Sequence, residues 1–89
     1  METPDARLKR MVMRSWRRGT KEMDLVLGPY ADAELAGMSG VELDAYDSLL
    51  EENDQDLMAW MLGQKKVPQA HVELISVLSA FAMQRLRAG

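Results

Sequence analysis

Apolar positions recur at helical spacing through most of this chain, and nowhere is there the sustained alternation of a half-buried strand. Leu8, Met11, Val12 and Trp16, with Ser15 as the polar member, follow i, i+3, i+4, i+7, i+8. That is one stripe of an amphipathic helix, and Arg7, Lys9, Arg10, Arg14 and Arg17 fall mostly off it. Pro4 and Asp5 supply a start. Gly19 supplies a stop, through the left-handed conformation that glycine tolerates. Thr20 then serves as N-cap of a second helix with Glu22 and Asp24 in its first turn and Met23, Val26, Leu27 and Tyr30 inward. A kink or break is expected at Gly28 and Pro29, because proline lacks the backbone donor and crowds the preceding turn.

Ser39 and Glu42, in SGVE, form a capping box that opens a third helix through ELDAYDSLLEE, with Leu43, Tyr46, Leu49 and Leu50 inward. Asp54 is the expected N-cap of a short fourth helix that buries Leu57, Trp60 and Met61 and ends at Gly63. After QKKV, Pro68 begins the last helix, with Leu74, Ile75, Leu78, Phe81 and Ala82 on one side and Arg85 and Arg87 near its C-terminus. The expected fold is therefore all-α, a compact small bundle of about five helices with antiparallel neighbours, in one domain over 1–89 whose residues 1–5 fray. Eighty-nine residues give enough material for one core and no more.

Charge changes the picture. The net charge is −3, yet Arg7, Lys9, Arg10, Arg14, Arg17, Arg18 and Lys21 all precede residue 22, whereas residues 22–64 carry acids and no Lys or Arg. The asymmetry reads two ways: a charged partner, or internal neutralisation when the basic first helix lies near the acidic middle. Trp16, at the end of that helix beside Arg17 and Arg18, reads equally as core or interface. The methionines read as filling of an irregular core, with an adaptable binding surface as the second reading.

Catalytic chemistry has little to work with. There is no cysteine, one histidine and no glycine-rich phosphate loop. No partner for His71 is suggested by local spacing, so it reads as a structural first-turn histidine. ENDQDL lacks the glycine and the downstream glutamate of a calcium loop. The N-terminus METPDARLKR lacks the apolar stretch of a secretory signal, and no apolar run approaches the ~20 residues of a membrane span.

What remains is RSWRRGTKEMD, residues 14–24. A helix stop, a cap and solvated arginines explain most of it, but not the density of directional charged groups around a residue without a side chain. Arginine binds carboxylates bidentately, glycine permits close backbone approach, and a glutamate one turn away can orient an arginine or meet a partner's cation. Together these are parts of a recognition surface.

Arg18, Gly19 and Glu22 form an R-G-x-x-E motif, and AYDSLLEENDQDLMAW, Ala45 to Trp60, forms a second block of tyrosine, paired aliphatics, acids, Asp-Leu and tryptophan. On these two blocks the chain resembles the SdhE (YgfY) family, the FAD assembly factors of succinate dehydrogenase. The resemblance implies a five-helix bundle that is not an enzyme. Such a factor binds the flavoprotein subunit of succinate dehydrogenase, and in some bacteria of fumarate reductase, and promotes covalent attachment of FAD to a histidine of that client. It further implies that Arg18, Gly19 and Glu22 form the partner-binding patch, with Arg14, Trp16, Arg17 and Asp24 as neighbours. Thr20 stands where members often carry methionine. No cofactor is expected to be held tightly, no metal, nucleic acid or membrane insertion is implied, and a free monomer in the bacterial cytoplasm is expected. The reading from another class is a small nucleic-acid-binding module using the basic first helix, which predicts steeply salt-dependent DNA affinity; a homodimer associating through its Met and Trp surfaces is a third.

Overall fold

Helix α1, Pro4–Trp16, starts where the side chain of Thr3 accepts from the Ala6 amide, with proline in the first turn. The computed structural model describes residues 2–88, with side chains to Arg85, so Arg87 lies outside the described side chains. The helix begins inside the segment expected to fray. It ends at Arg17 and not through a left-handed Gly19, since among the described residues Gly63 is the one glycine with positive φ.

Helix α2, Lys21–Glu34, is capped by Thr20, whose Oγ1 accepts from the Met23 amide at 3.3 Å. It runs unbroken through Pro29, and a 3-10 turn, Leu35–Gly37, follows it. The expected break is therefore corrected. Leu27, Tyr30 and Ala31 are buried on both sides of the proline, and burial of that face outweighs the missing backbone bond.

Helix α3, Gly40–Leu50, opens with the predicted capping box: Ser39 N donates to Glu42 Oε1 at 2.9 Å, and Glu42 N to Ser39 Oγ at 3.2 Å. Helix α4, Asp54–Met61, is capped by Asn53, which accepts from the Asp56 amide at 2.8 Å, and not by Asp54. At its end Gly63 (φ 75°) donates to Trp60 O at 3.3 Å and Gln64 to Ala59 O at 2.8 Å, the paired bonds of a Schellman stop. A 3-10 turn, Gln69–His71, leads into α5, Val72–Ala88. Among the described residues there is no strand.

The core is contiguous, from Met11 and Met23 through Leu27, Leu35, Tyr46, Leu49 and Leu57 to Ile75 and Leu78. Tyr30 joins three helices, stacking on Tyr46 with centroids 5.8 Å apart and meeting the Phe81 ring edge-on at 5.3 Å. Met11 and Met23 are fully buried, but Met13 and Met83 are exposed. Trp60 is a core anchor, and His71 is buried beside it, with ring centroids 5.7 Å apart and Nε2 3.0 Å from Glu52 Oε2.

A ladder of ion pairs locks α1 to α3. Arg7 bonds Asp44 at 2.6 Å, Arg10 bonds Asp47 at 2.9 Å and Arg14 bonds Glu51 at 2.8 Å, each pair separated by 37 residues. A constant offset requires the two helices to run parallel, as the first and third helices do when consecutive helices run antiparallel. It also answers the charge asymmetry, since much of the basic face is neutralised inside the molecule. The phosphate-binding reading of α1 thereby loses three of its cations, Arg7, Arg10 and Arg14.

Candidate functional site

The R-G-x-x-E motif lies on the turn between α1 and α2, and its arginine points inward. Arg18 Nε donates to Asp54 Oδ1 at 2.8 Å, Nη1 donates to Leu50 O at 2.8 Å, and Nη2 donates to Glu52 O. The guanidinium thus closes the C-terminal end of α3, where unpaired carbonyls and the helix dipole favour a cation, and holds the first residue of α4. Only 8% of the Arg18 side chain and 9% of the Asp54 side chain remain accessible.

The other Asp54 oxygen accepts from the Thr20 backbone N–H at 2.8 Å and the Thr20 hydroxyl at 3.1 Å. Burial pushes the Asp54 carboxyl up, but the hydrogen bonds from Arg18 and Thr20 outweigh it and hold the group below the usual carboxylate range. Asp24, expected among the partner contacts, accepts from the Arg18 backbone N–H and closes the turn from the α2 side. One carboxylate from α2 and one from α4 therefore make the turn rigid.

Gly19 and Glu22 are the outward parts of the motif. Gly19 is exposed, and a Cβ there would stand 3.5 Å from Asp54 Oδ2, an ordinary contact, so the fold itself does not require glycine. Glu22 is exposed in the first turn of α2 and has no ion pair among the described residues. It rims a groove of about 480 Å³ that includes Thr20, Asp54 and Gln55, with Met58 and Ala59 of α4 and Gln64 just beyond it on the other side. A hollow of about 340 Å³ at Arg18, Gly19 and Asn53 shares Thr20, Asp54 and Gln55 with that groove, so the two form one trough along the motif.

The remaining predicted neighbours divide. Arg14 is held internally, with Nη1 on Glu51 Oε1 at 2.8 Å and Nη2 on Leu50 O at 3.1 Å. Arg17 is exposed and lines a hollow with Arg10, Met13 and Arg14. Trp16 is both core and surface. Its ring covers Gly28 so closely that a Cβ there would lie 2.4 Å from Cδ2, its indole N–H reaches both Asp32 carboxylate oxygens at 3.2 Å, and 40% of the residue stays accessible.

Sequence reasoning missed Asp54 as the partner of Arg18, Gly28 as the seat of Trp16 and Glu52 as the partner of His71. The ladder did leave a signal, because 7, 10, 14 and 44, 47, 51 share one spacing. The other three join residues with no shared local pattern. Among the described residues no group of three or more His, Cys, Asp or Glu side chains is placed to hold a metal ion. No helix among them is long and apolar enough to cross a membrane.

The family model described as flavinator of succinate dehydrogenase matches residues 9–85. The chain is 34% identical over 74 residues to the FAD assembly factor SdhE of Legionella pneumophila (strain Lens), covering 83% of this chain and 94% of that protein. It is also similar to succinate dehydrogenase assembly factor 2, mitochondrial, of Mycosarcoma maydis, 36% identical over 67 residues, or 75% of this chain and 28% of that one. For the protein of the same name in Debaryomyces hansenii the values are 44% over 59 residues, 66% and 42%. The chain thus spans less than half of each of these two mitochondrial relatives and nearly all of the bacterial one. With most of its length matched, the chain belongs to the SdhE family, the flavinators of succinate dehydrogenase.

Proposed function

We propose that this chain is a non-catalytic assembly factor that binds the flavoprotein subunit of succinate dehydrogenase and promotes covalent attachment of FAD to it. The observation that carries the reading is the outward half of the motif: an exposed glycine that the fold does not need, beside an exposed glutamate without an internal ion pair, on a turn made rigid by Arg18 and Asp54. Gly19 admits a close backbone approach, and Glu22 meets a cation or amide of the client. Arg18 acts from beneath as a strut. Binding energy then favours the client conformation in which acceptor side chain and flavin are aligned, and the client performs the bond formation.

FAD is held by the client on this reading. The trough along the motif has two carboxylates at its larger end and no cation there, which disfavours a pyrophosphate. The flavoprotein of fumarate reductase is a second client, and the bacterial cytoplasm is the proposed compartment, in keeping with the Legionella relative.

The test is in-gel flavin fluorescence of the denatured flavoprotein subunit from cells lacking the gene, complemented with wild type, Gly19→Val or Glu22→Ala. Loss without the gene, rescue by wild type and poor rescue by both variants is the expected pattern. Equal covalent flavin in every strain would overturn the reading for this client.

A further inference from the structure

Three large apolar side chains remain exposed on the α1–α2 face outside the motif: Met13 at 46%, Trp16 at 40% and Leu25 at 53%. Met13 is one turn before Trp16 on α1. Leu25 is one turn before Gly28, the glycine under the Trp16 ring, on α2. Met13 lines a hollow with Arg10, Arg14 and Arg17, Leu25 lines one with Val26, Ala82 and Arg85, and the Trp16 ring on Gly28 joins the two helices that carry them.

Trp16 is fixed there and not merely exposed. Its ring rests on Gly28 and its N–H is anchored by both Asp32 oxygens, so its rotamer is set before any partner arrives. A glycine inside a helix costs about 1 kcal/mol relative to alanine, and here it is what admits the ring. A rigid, half-exposed tryptophan beside an arginine is the composition of an interface anchor, because little side-chain freedom is lost on binding.

Most of the charges around these residues are already engaged. Arg7, Arg10, Arg14 and Arg18 are used by carboxylates of the N-terminal segment, α3 and α4. Lys9 and Arg17, one turn on either side of Met13, and Lys21, one turn before Leu25, have no ion pair among the described residues. Of the nearby acids, Asp32 holds the indole and Asp24 holds the turn, while Glu22 rims the trough against α4. Carboxylates on a partner would find three cations around an apolar centre.

We propose that Met13, Trp16 and Leu25, flanked by Lys9, Arg17 and Lys21, form a second docking contact for the flavoprotein client, taking a segment that presents an apolar side chain between carboxylates. This rests on the assembly-factor reading, and it extends the interface from the motif turn over the outer faces of α1 and α2. The motif contact grips a cation or backbone amide, and this one grips an acidic apolar segment, so the two together fix the orientation of the client.

The test is a titration of the 5-fluorotryptophan-labelled full chain with purified apo flavoprotein subunit, read by ¹⁹F NMR, with Trp60→Phe assigning the two resonances. The Trp16 signal is expected to shift or broaden while that of Trp60 changes little. Met13→Glu and Leu25→Glu should each weaken binding about tenfold or more, and Lys21→Glu should weaken it and flatten its salt dependence. Met13→Gln and Leu25→Ser give milder versions should a glutamate lower the melting temperature. Affinity within twofold of wild type in all these folded variants, with binding still lost in Glu22→Ala, would overturn this contact and leave the assembly role standing. No binding by wild type would sink the assembly role itself. Wild-type self-association relieved by Leu25→Glu would assign the surface to a second copy, and tight salt-sensitive binding of duplex DNA lost in Lys21→Glu would assign it to nucleic acid; either overturns the proposal.

Discussion

Arg18 Nε lies 2.8 Å from Asp54 Oδ1 with both side chains more than nine-tenths buried, so the arginine of the recognition motif is a strut of the fold. Removing one partner of a buried pair leaves the other charge uncompensated, at a cost of about 3–5 kcal/mol. Arg18→Ala should therefore lower the melting temperature by at least about 12 °C in a chain of this size, followed by circular dichroism. Arg18→Lys keeps the charge but not the fork that reaches two carbonyls, and should fall between. An unchanged melting temperature in Arg18→Ala would mean that the strut contributes nothing.

Gly19 should behave oppositely. With 3.5 Å between an alanine Cβ at this position and the nearest carboxylate oxygen, Gly19→Ala is expected to melt within about 0.5 kcal/mol of wild type. Covalent flavin in the client should nonetheless fall, as measured by in-gel fluorescence. A Gly19→Ala chain that unfolds would return the glycine to a structural role.

The seat of Trp16 predicts a change of sign. In wild type, Gly28→Ala places a methyl 2.4 Å from the indole, and overpacking of this kind costs about 1–3 kcal/mol. In a Trp16→Ala background the clash is gone, and alanine should stabilise the helix by about 1 kcal/mol. Urea denaturation of the four chains measures this coupling directly; the same sign in both backgrounds would refute it.

Acid should unfold the protein through Asp47 and Asp54. Hydrogen bonding from Arg10 holds the Asp47 carboxyl below the usual range, and at Asp54 the bonds from Arg18 and Thr20 overcome the effect of burial. A carboxyl lowered in the folded state binds fewer protons there than in the unfolded chain. Its stabilisation is complete above the unfolded value near 4 and is lost as pH falls through the folded value. Melting temperature should be flat from about pH 7 to 5 and fall below about 4, and Asp54→Asn should lower the plateau and soften the fall.

Ser15 and Tyr46 form the buried polar joint between α1 and α3. Ser15 Oγ donates to Met11 O at 2.8 Å and lies 2.7 Å from Tyr46 Oη. Ser15→Ala strands the phenol and should cost about 1–3 kcal/mol. Burial pushes the Tyr46 hydroxyl up to about 12, so the folded state keeps its proton where the unfolded chain begins to lose it near 10. That contribution is present below about pH 10 and disappears as pH rises toward 12. In a Tyr30→Phe chain, which isolates Tyr46, absorbance of tyrosinate should appear only with alkaline unfolding.

Local chemistry made much of this protein legible from its sequence. Ser39 and Glu42 satisfy each other three residues apart, Gly63 ends a helix because its own backbone can turn left-handed, and the stripes on α1, α3 and α5 declare their buried faces. The R-G-x-x-E motif and the Ala45–Trp60 block were enough to indicate the family. Each of these is a relation between near neighbours, or a pattern that one segment carries whole. The tertiary structure alone decided that Asn53 and not Asp54 caps α4, that Pro29 leaves α2 unbroken, and that the motif's arginine faces inward while its glycine and glutamate face out. Those outcomes depend on groups some thirty-six residues apart competing for the same hydrogen bonds, and on burial strong enough to override a local preference.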